Sequence, residues 1–247
     1  MGAVATALLL SRLPTLTVRL SDSPAGVRLR THFEDRLWGI RHSRLAQGVL
    51  VLPEIPGRYL RGRSRQALRT NIHKARAAGI SCQRLDYLDQ RRAATLDLRE
   101  RAGDRVHWPD ERFCLPGDAW WAARDRRGQA VALAQITVDR DWALLQLLVS
   151  THRPSRYLLH SEVVEALVAS RVRYLTVSTA MAPLLEPSLQ YWQRLLGFQV
   201  ANLSVRSAPI AVAQPAPTTA DAPEVEHPRV AQGEPQARSP VAALLAP

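Results

Sequence analysis

The stretch LLVSTHRPSRYLLHSEVVEAL (147–167) runs from an apolar segment through a polar corner into a helical pattern. A strand that stops at a corner and opens a helix suits an anion. The first N–H groups of such a helix lack intrahelical partners, and its dipole is positive there. The corner carries His152, Arg153, Ser155, Arg156 and Tyr157 and has no glycine. Ser155 is a candidate side-chain cap of the helix, and the two guanidinium groups can bond phosphate directly. A second group of candidates lies in VHWPDERF (106–113), where His107, Asp110 and Glu111 flank Trp108. An imidazole beside carboxylates is a candidate general base, and solvated loop residues account for the same pattern.

The segment RYLRGRSRQALRTNIHKARAAG (58–79) reads as one basic helix ended by Gly79 in a left-handed cap. Arg61, Arg65, Arg69, His73 and Arg76 fall within one arc at about 100° per residue, beside an apolar arc of Leu60, Ala67, Leu68 and Ala75. No acid interrupts it from Arg58 to Ala78, which predicts an anion-binding face. Its ligand would be a cofactor phosphate, a tRNA acceptor stem or a lipid-linked phosphate.

The elements that must position these groups alternate along the chain. TLTVRL (15–20), GVRLRTHF (26–33) and GVLVLP (48–53) read as strands from their alternating or continuous apolar pattern. After the basic helix come a strand at 80–86 and an amphipathic helix at 89–103. DAWWAARD, QAVALAQITVD and WALLQLLVS then follow, parted only by RRG and RD, which predicts an antiparallel meander. Helix 155–170, strand 172–179, helix 187–196 and strand 198–206 complete a mixed α/β domain.

Residues 1–14 form an N-terminal extension to a domain at 15–206. From Ser207 the chain turns Pro/Ala-rich, without aromatics or a sustained period, and is expected to be disordered because it has too little apolar area to offset ordering entropy. The net charge of +11 predicts attraction to polyanions. Lys74 is the only lysine beside many arginines, so the arginine count by itself is a weak pointer to nucleic acid. Cys82 and Cys114 lack metal or disulfide spacing, and no metal is expected. No run approaches the roughly 18 apolar residues of a membrane span. The first residues make a poor signal peptide, so the expected location is the cytoplasm.

From Ala119 to Arg206 the order of elements resembles the GNAT superfamily of acyl-CoA-dependent N-acyltransferases. In that family a meander delivers a central strand, here Trp142–Val149, and the next strand, here RYLTVST, splays away from it. The junction LQYWQRLLGFQV, with Gly197 and Phe198, is similar to the family's Leu-Tyr-x-x-x-Gly-Phe. The basic segment LRTNIHKARAAGI is similar to one in Fem-type aminoacyl transferases. The likeness covers roughly residues 15–206.

The resemblance implies a mixed, mostly antiparallel sheet with flanking helices. It also implies acetyl-CoA or another acyl-CoA as cosubstrate and an amine-bearing small molecule or peptide as acceptor. Charged tRNA as donor is the alternative reading, and a non-catalytic binding protein of the same fold is another. The acyl-CoA site would use Leu148, Val149, His152, Arg153, Ser155, Arg156, Tyr157 and Ser178. Two departures stand out. Ser155 and Tyr157 occupy the family's glycine positions, and Gln193 occupies the place of its tyrosine acid. His107, Glu111 and the nearby Tyr191 are the remaining catalytic candidates.

Overall fold

Apolar, β-branched and aromatic runs separated by short turns assemble one eight-stranded sheet. The structure, a computed structural model, describes residues 12–37, 39–102, 115, 117–178 and 187–207. The segments 103–114 and 208–247, and with them His107, Glu111 and the tail, lie outside the described residues. The strands are β1 (Thr15–Leu20), β4 (Gln47–Val51), β5 (Ser81–Arg84), β6 (Asp118–Arg124), β7 (Ala130–Asp139), β8 (Trp142–Ser150), β9 (Tyr174–Val177) and β10 (Gln199–Ser207). Their order is β1-β10-β4-β9-β8-β7-β6-β5, and the short strands β2 (Arg36–Leu37) and β3 (Ile40–Arg41) pair apart from it. Only β1/β10 and β8/β9 run parallel. The sheet is therefore mixed and mostly antiparallel, as expected.

Helices cover both faces. On one face α2 (Gln66–Ala77), α4 (Arg153–Ala169) and α5 (Pro187–Leu196) close a core containing Leu68, Ile72, Tyr157, Leu159, Val163, Trp192 and Phe198. On the other face α1 (Pro24–Glu34) packs Leu29 and Phe33 on Trp142 and Leu144, while α3 (Leu88–Ala102) packs Ala94 and Leu98 on Trp120 and Leu133. Successive β8 residues thus feed opposite cores, as a pleated strand buried on both faces must. Among the described residues no helix is long and apolar enough to cross a membrane.

Two expected elements differ. Residues 26–33, read as a strand, lie in α1, where Ser23 caps the first turn by accepting from the Gly26 N–H at 3.0 Å and Pro24 opens the helix. The buried Asp139 carboxylate fixes that end, accepting from the Ser21 N–H at 2.7 Å and the Ser23 hydroxyl at 3.0 Å. The basic helix begins only at Gln66. Gly62, at φ 94°, breaks the chain before a short 3₁₀ turn at Arg63–Arg65, so Arg61 does not share a helical face with the others.

Candidate functional site

The sheet opens between β8 and β9. Their parallel pairing ends at Leu145 and Val177, and the Ser178 N–H closes the ladder on the Leu145 carbonyl at 3.1 Å. The cause is visible on the other side of β8. Gln135 pairs with Leu147 and Ile136 with Leu145, leaving Gln146 as an extra residue against β7. Such a bulge bends its strand, and residues 146–150 run on half-buried, 147–150 of them paired only with β7. The Gln146 amide is held by the Thr137 hydroxyl at 2.5 Å.

On the α4 side the gap is a cleft of about 190 Å³ lined by Leu145–Leu148, Arg156, Val177, Ser178, Trp192 and Gln193. None of these is a carboxylic acid, histidine, cysteine, tyrosine or lysine. Three buried polar atoms here lack a partner: the Arg156 Nε, the Trp192 indole Nε1 and the Gln193 Oε1. Gln193, 4% exposed, is wedged beside Gly48, where a Cβ would come within 3.1 Å of its Oε1. On the α1 side a second cavity of about 480 Å³ is lined by Arg28, Thr31, His32, Leu144, Gln146 and Ser178. Gln146 and Ser178 line both cavities, so the two meet at the gap.

The corner before α4 is built by serines that bond carbonyls. The Ser155 hydroxyl donates to the His152 carbonyl at 2.6 Å and lies 2.9 Å from the Ser150 hydroxyl. Ser155 therefore does not cap the N–H groups, and α4 has no side-chain cap and no acid in its first turn. Tyr157 is 1% exposed and belongs to the core, so its ring cannot meet a ligand. Arg153 is exposed. Arg156 is half-buried, its guanidinium 5.4 Å from the Trp192 ring and 5.7 Å from that of Tyr157. Leu148 and Ser178 line the cleft, while Val149 and His152 are half-buried and do not line it.

The remaining predicted residues scatter. Tyr191 is 57% exposed and does not line the cleft. Arg65 donates to the Leu195 carbonyl at 3.1 Å, at the negative end of α5, and lies 5.0 Å over the Tyr59 ring. Arg69 binds the Leu60 and Gly62 carbonyls at 2.6 and 2.8 Å, and Arg76 pairs with Glu162 at 3.0 Å. These three spend hydrogen bonds on the fold, although Arg69 and Arg76 are exposed, as is Arg61. Gly197 explains its motif: at φ 83° it ends α5, and a Cβ there would strike the Arg65 guanidinium.

Two histidines that the sequence reading left without an assigned role stand near the gap. His32 lines the α1-side cavity. Its pKa is pushed down to about 4, chiefly by burial and then by His42, against an upward pull from Asp35. It is neutral at pH 7, as a proton acceptor must be. The His42 Nδ1 donates to the His32 carbonyl at 3.1 Å, which fixes the His42 tautomer. His160 sits wholly buried among Tyr59, Trp192 and Phe198, its pKa lowered to about 3 by burial and by Arg65 and Arg156. The Tyr59 hydroxyl, pushed up by burial, donates to the Leu196 carbonyl at 3.0 Å. Nearby, the buried Asp118 carboxylate accepts from Arg28 and Thr137 at 2.6 Å and from Gln135 at 2.7 Å. Among the described residues no group of three His, Cys, Asp or Glu could hold a metal ion.

No model of a known protein family matches the chain, and no curated protein does. Solved structures similar to it include L-PGS from Bacillus licheniformis, at 12% identity and TM-score 0.49, covering 63% of this chain and 57% of that one. A GCN5-related N-acetyltransferase from Kribbella flavida follows at 14% identity and TM-score 0.36, covering 62% and 54%. An acetyltransferase of the GNAT family from Staphylococcus aureus is similar at 13% and TM-score 0.34, covering 48% and 85%. The chain thus spans little more than half of the first two. The described sheet order, the helices on both faces and the parting of β8 from β9 make a GNAT-like fold.

Proposed function

We propose that the chain is an N-acyltransferase that moves an acyl group from acyl-CoA to an amine by direct attack. One observation carries this reading: the gap past Leu145 and Val177, open to a cavity on each face of the sheet. A thioester lying in the α4-side cleft would present its carbonyl at the gap, and an amine in the α1-side cavity would reach it from the opposite face. The uncapped first turn of α4, with Arg153 beside it, suits the donor's phosphates. The unpartnered Trp192 N–H and Gln193 carbonyl are a donor and an acceptor for the amides of a pantetheine arm.

The cleft also favours a thioester over the ester of a charged tRNA. Among the described residues that line it, none is a proton donor of ordinary acidity. A thiol ionises near pKa 8.5, so its sulfur leaves unaided far more readily than an alkoxide does. Transfer from an ester would require an acid, which the described lining residues do not supply.

Thermal unfolding with CoA, acetyl-CoA, longer acyl-CoAs and charged tRNA tests the reading. A ligand at a hundred times its Kd raises stability by about 2.7 kcal/mol, which is a readily measured shift. Acetyl-CoA or a longer acyl-CoA is expected to stabilise the protein. Stabilisation by charged tRNA alone would replace the donor, and no shift with any of them would end the enzyme reading.

A further inference from the structure

Within the acyl-CoA reading, the cleft poses a chemical problem. When the amine lone pair attacks the thioester carbonyl, the C–N bond forms and the C–S bond breaks. The electron pair of that bond departs on sulfur, and the proton of the new ammonium passes to water. The negative sulfur then needs either a proton or a positive charge. Gln193, which takes the place of a tyrosine acid, supplies neither.

The charge is nearby. Arg156 lines the same cleft, beside Gln146, Ser178 and Gln193. It is half-buried, its guanidinium carbon 5.4 Å from the centre of the Trp192 ring and 5.7 Å from that of Tyr157, and it enters no ion pair among the described residues. Its Nε is buried without a partner. An arginine with a buried, unpartnered Nε and no counter-ion among the described residues carries a desolvation cost that a bound anion would offset. The faces of the two aromatic rings attract its charge and offset part of that cost. Arg153, by contrast, is exposed and stands at the helix end, where phosphate would lie.

We propose that Arg156 binds the leaving sulfur as a thiolate, so that this site stabilises the departing group by charge where a tyrosine would protonate it. An arginine cannot lose its proton in the working range, so this support persists at alkaline pH. Other charged groups around the cleft do not compete for the role. His160 behind it is neutral, Arg65 is spent on Leu195, Glu162 pairs with Arg76, and Glu165 accepts from the Gly57 N–H.

The test needs no knowledge of the acceptor. A free alkyl thiol such as that of CoA is at most a few per cent thiolate at pH 7, so binding it as thiolate must release nearly one proton per site. Calorimetric titration of the whole chain with CoA in two buffers of different ionisation heat counts that proton. The expected result is proton release with CoA and none with desulfo-CoA, a comparison made entirely on the unmodified protein. Arg156→Gln should still bind CoA but release no proton, and Arg156→Lys should restore part of the release. CoA binding without proton release overturns the proposal. Equal weakening of CoA and desulfo-CoA by Arg156→Gln overturns it as well, because the guanidinium then serves the phosphates. Absence of any CoA binding removes the donor reading itself, a result the proton count cannot be confused with.

Discussion

Acidification should unfold this protein through two imidazoles, and replacing one of them should show how. His160 and His32 each titrate at 6.5 when unfolded, but near 3 and 4 in the folded chain. Between those limits the unfolded state binds a proton that the folded state refuses, so stability is complete above pH 6.5 and falls as the pH drops towards the folded values. At about pH 4.5 the gap spans roughly two pH units for each group. At 1.36 kcal/mol per unit that is between about 2 and 3 kcal/mol each, and about 5 kcal/mol together. A domain of this kind commands only about 5–15 kcal/mol in all. His160→Phe removes one of the two sites while keeping a ring among Tyr59, Trp192 and Phe198, and the Tyr59 hydroxyl keeps its bond to Leu196. Urea unfolding at pH 7.5 and about pH 4.5, followed by tryptophan fluorescence, should show that the variant loses roughly 2–3 kcal/mol less than the parent on acidification. Groups other than His160 are common to both proteins, so whatever they contribute cancels in the comparison. An identical loss in parent and variant would refute the argument.

Arg65→Ala should lower stability by roughly 1–2 kcal/mol, because it removes the bond to the Leu195 carbonyl and the stacking on Tyr59. The melting temperature reads this, and an unchanged value would return Arg65 to the anion-binding face. Asp139→Ala should cost roughly 2–3 kcal/mol, since the Ser21 N–H, Ser21 hydroxyl and Ser23 hydroxyl lose their shared acceptor beneath α1. Hydrogen exchange confined to the first turn of α1 would locate that loss, whereas uniform exchange would contradict it.

How much of this was legible in the chain depends on whether a feature is local. The meander β6–β8 was, because two short turns part three apolar runs. So was the end of α5, where Gly197 and Phe198 mark a helix cap. Residues 26–33 failed because Leu29 and Phe33 fit both periods: they are alternate positions of a strand and also successive turns of a helix. The deciding signal was the Ser23–Pro24 start, which lies just outside the alternating run. The basic segment misled in the same way. Its charges fit one helical arc until Gly62 takes a left-handed φ, and no periodicity reveals that. The site was less legible than the fold. His32 and Gln146 share a cavity only because α1 crosses the sheet at the bulge in β8, a meeting that no spacing along the chain records.

The corner before α4 shows why missing glycines need not mean a missing site. Small residues matter where a side chain would stand between the backbone and an anion. Here Ser155 and Tyr157 both turn inward, one onto the His152 carbonyl and the other into the core. Neither occupies the space in front of the first turn. That turn has no side-chain cap and no acidic residue to neutralise its positive end. The residues facing outward or into the cleft are their neighbours Arg153 and Arg156, which add charge to the corner. The corner thus lacks glycines yet carries one cation at the helix end and another lining the cleft. The second of these is positioned, on the reading proposed above, to meet the sulfur in place of the absent acid.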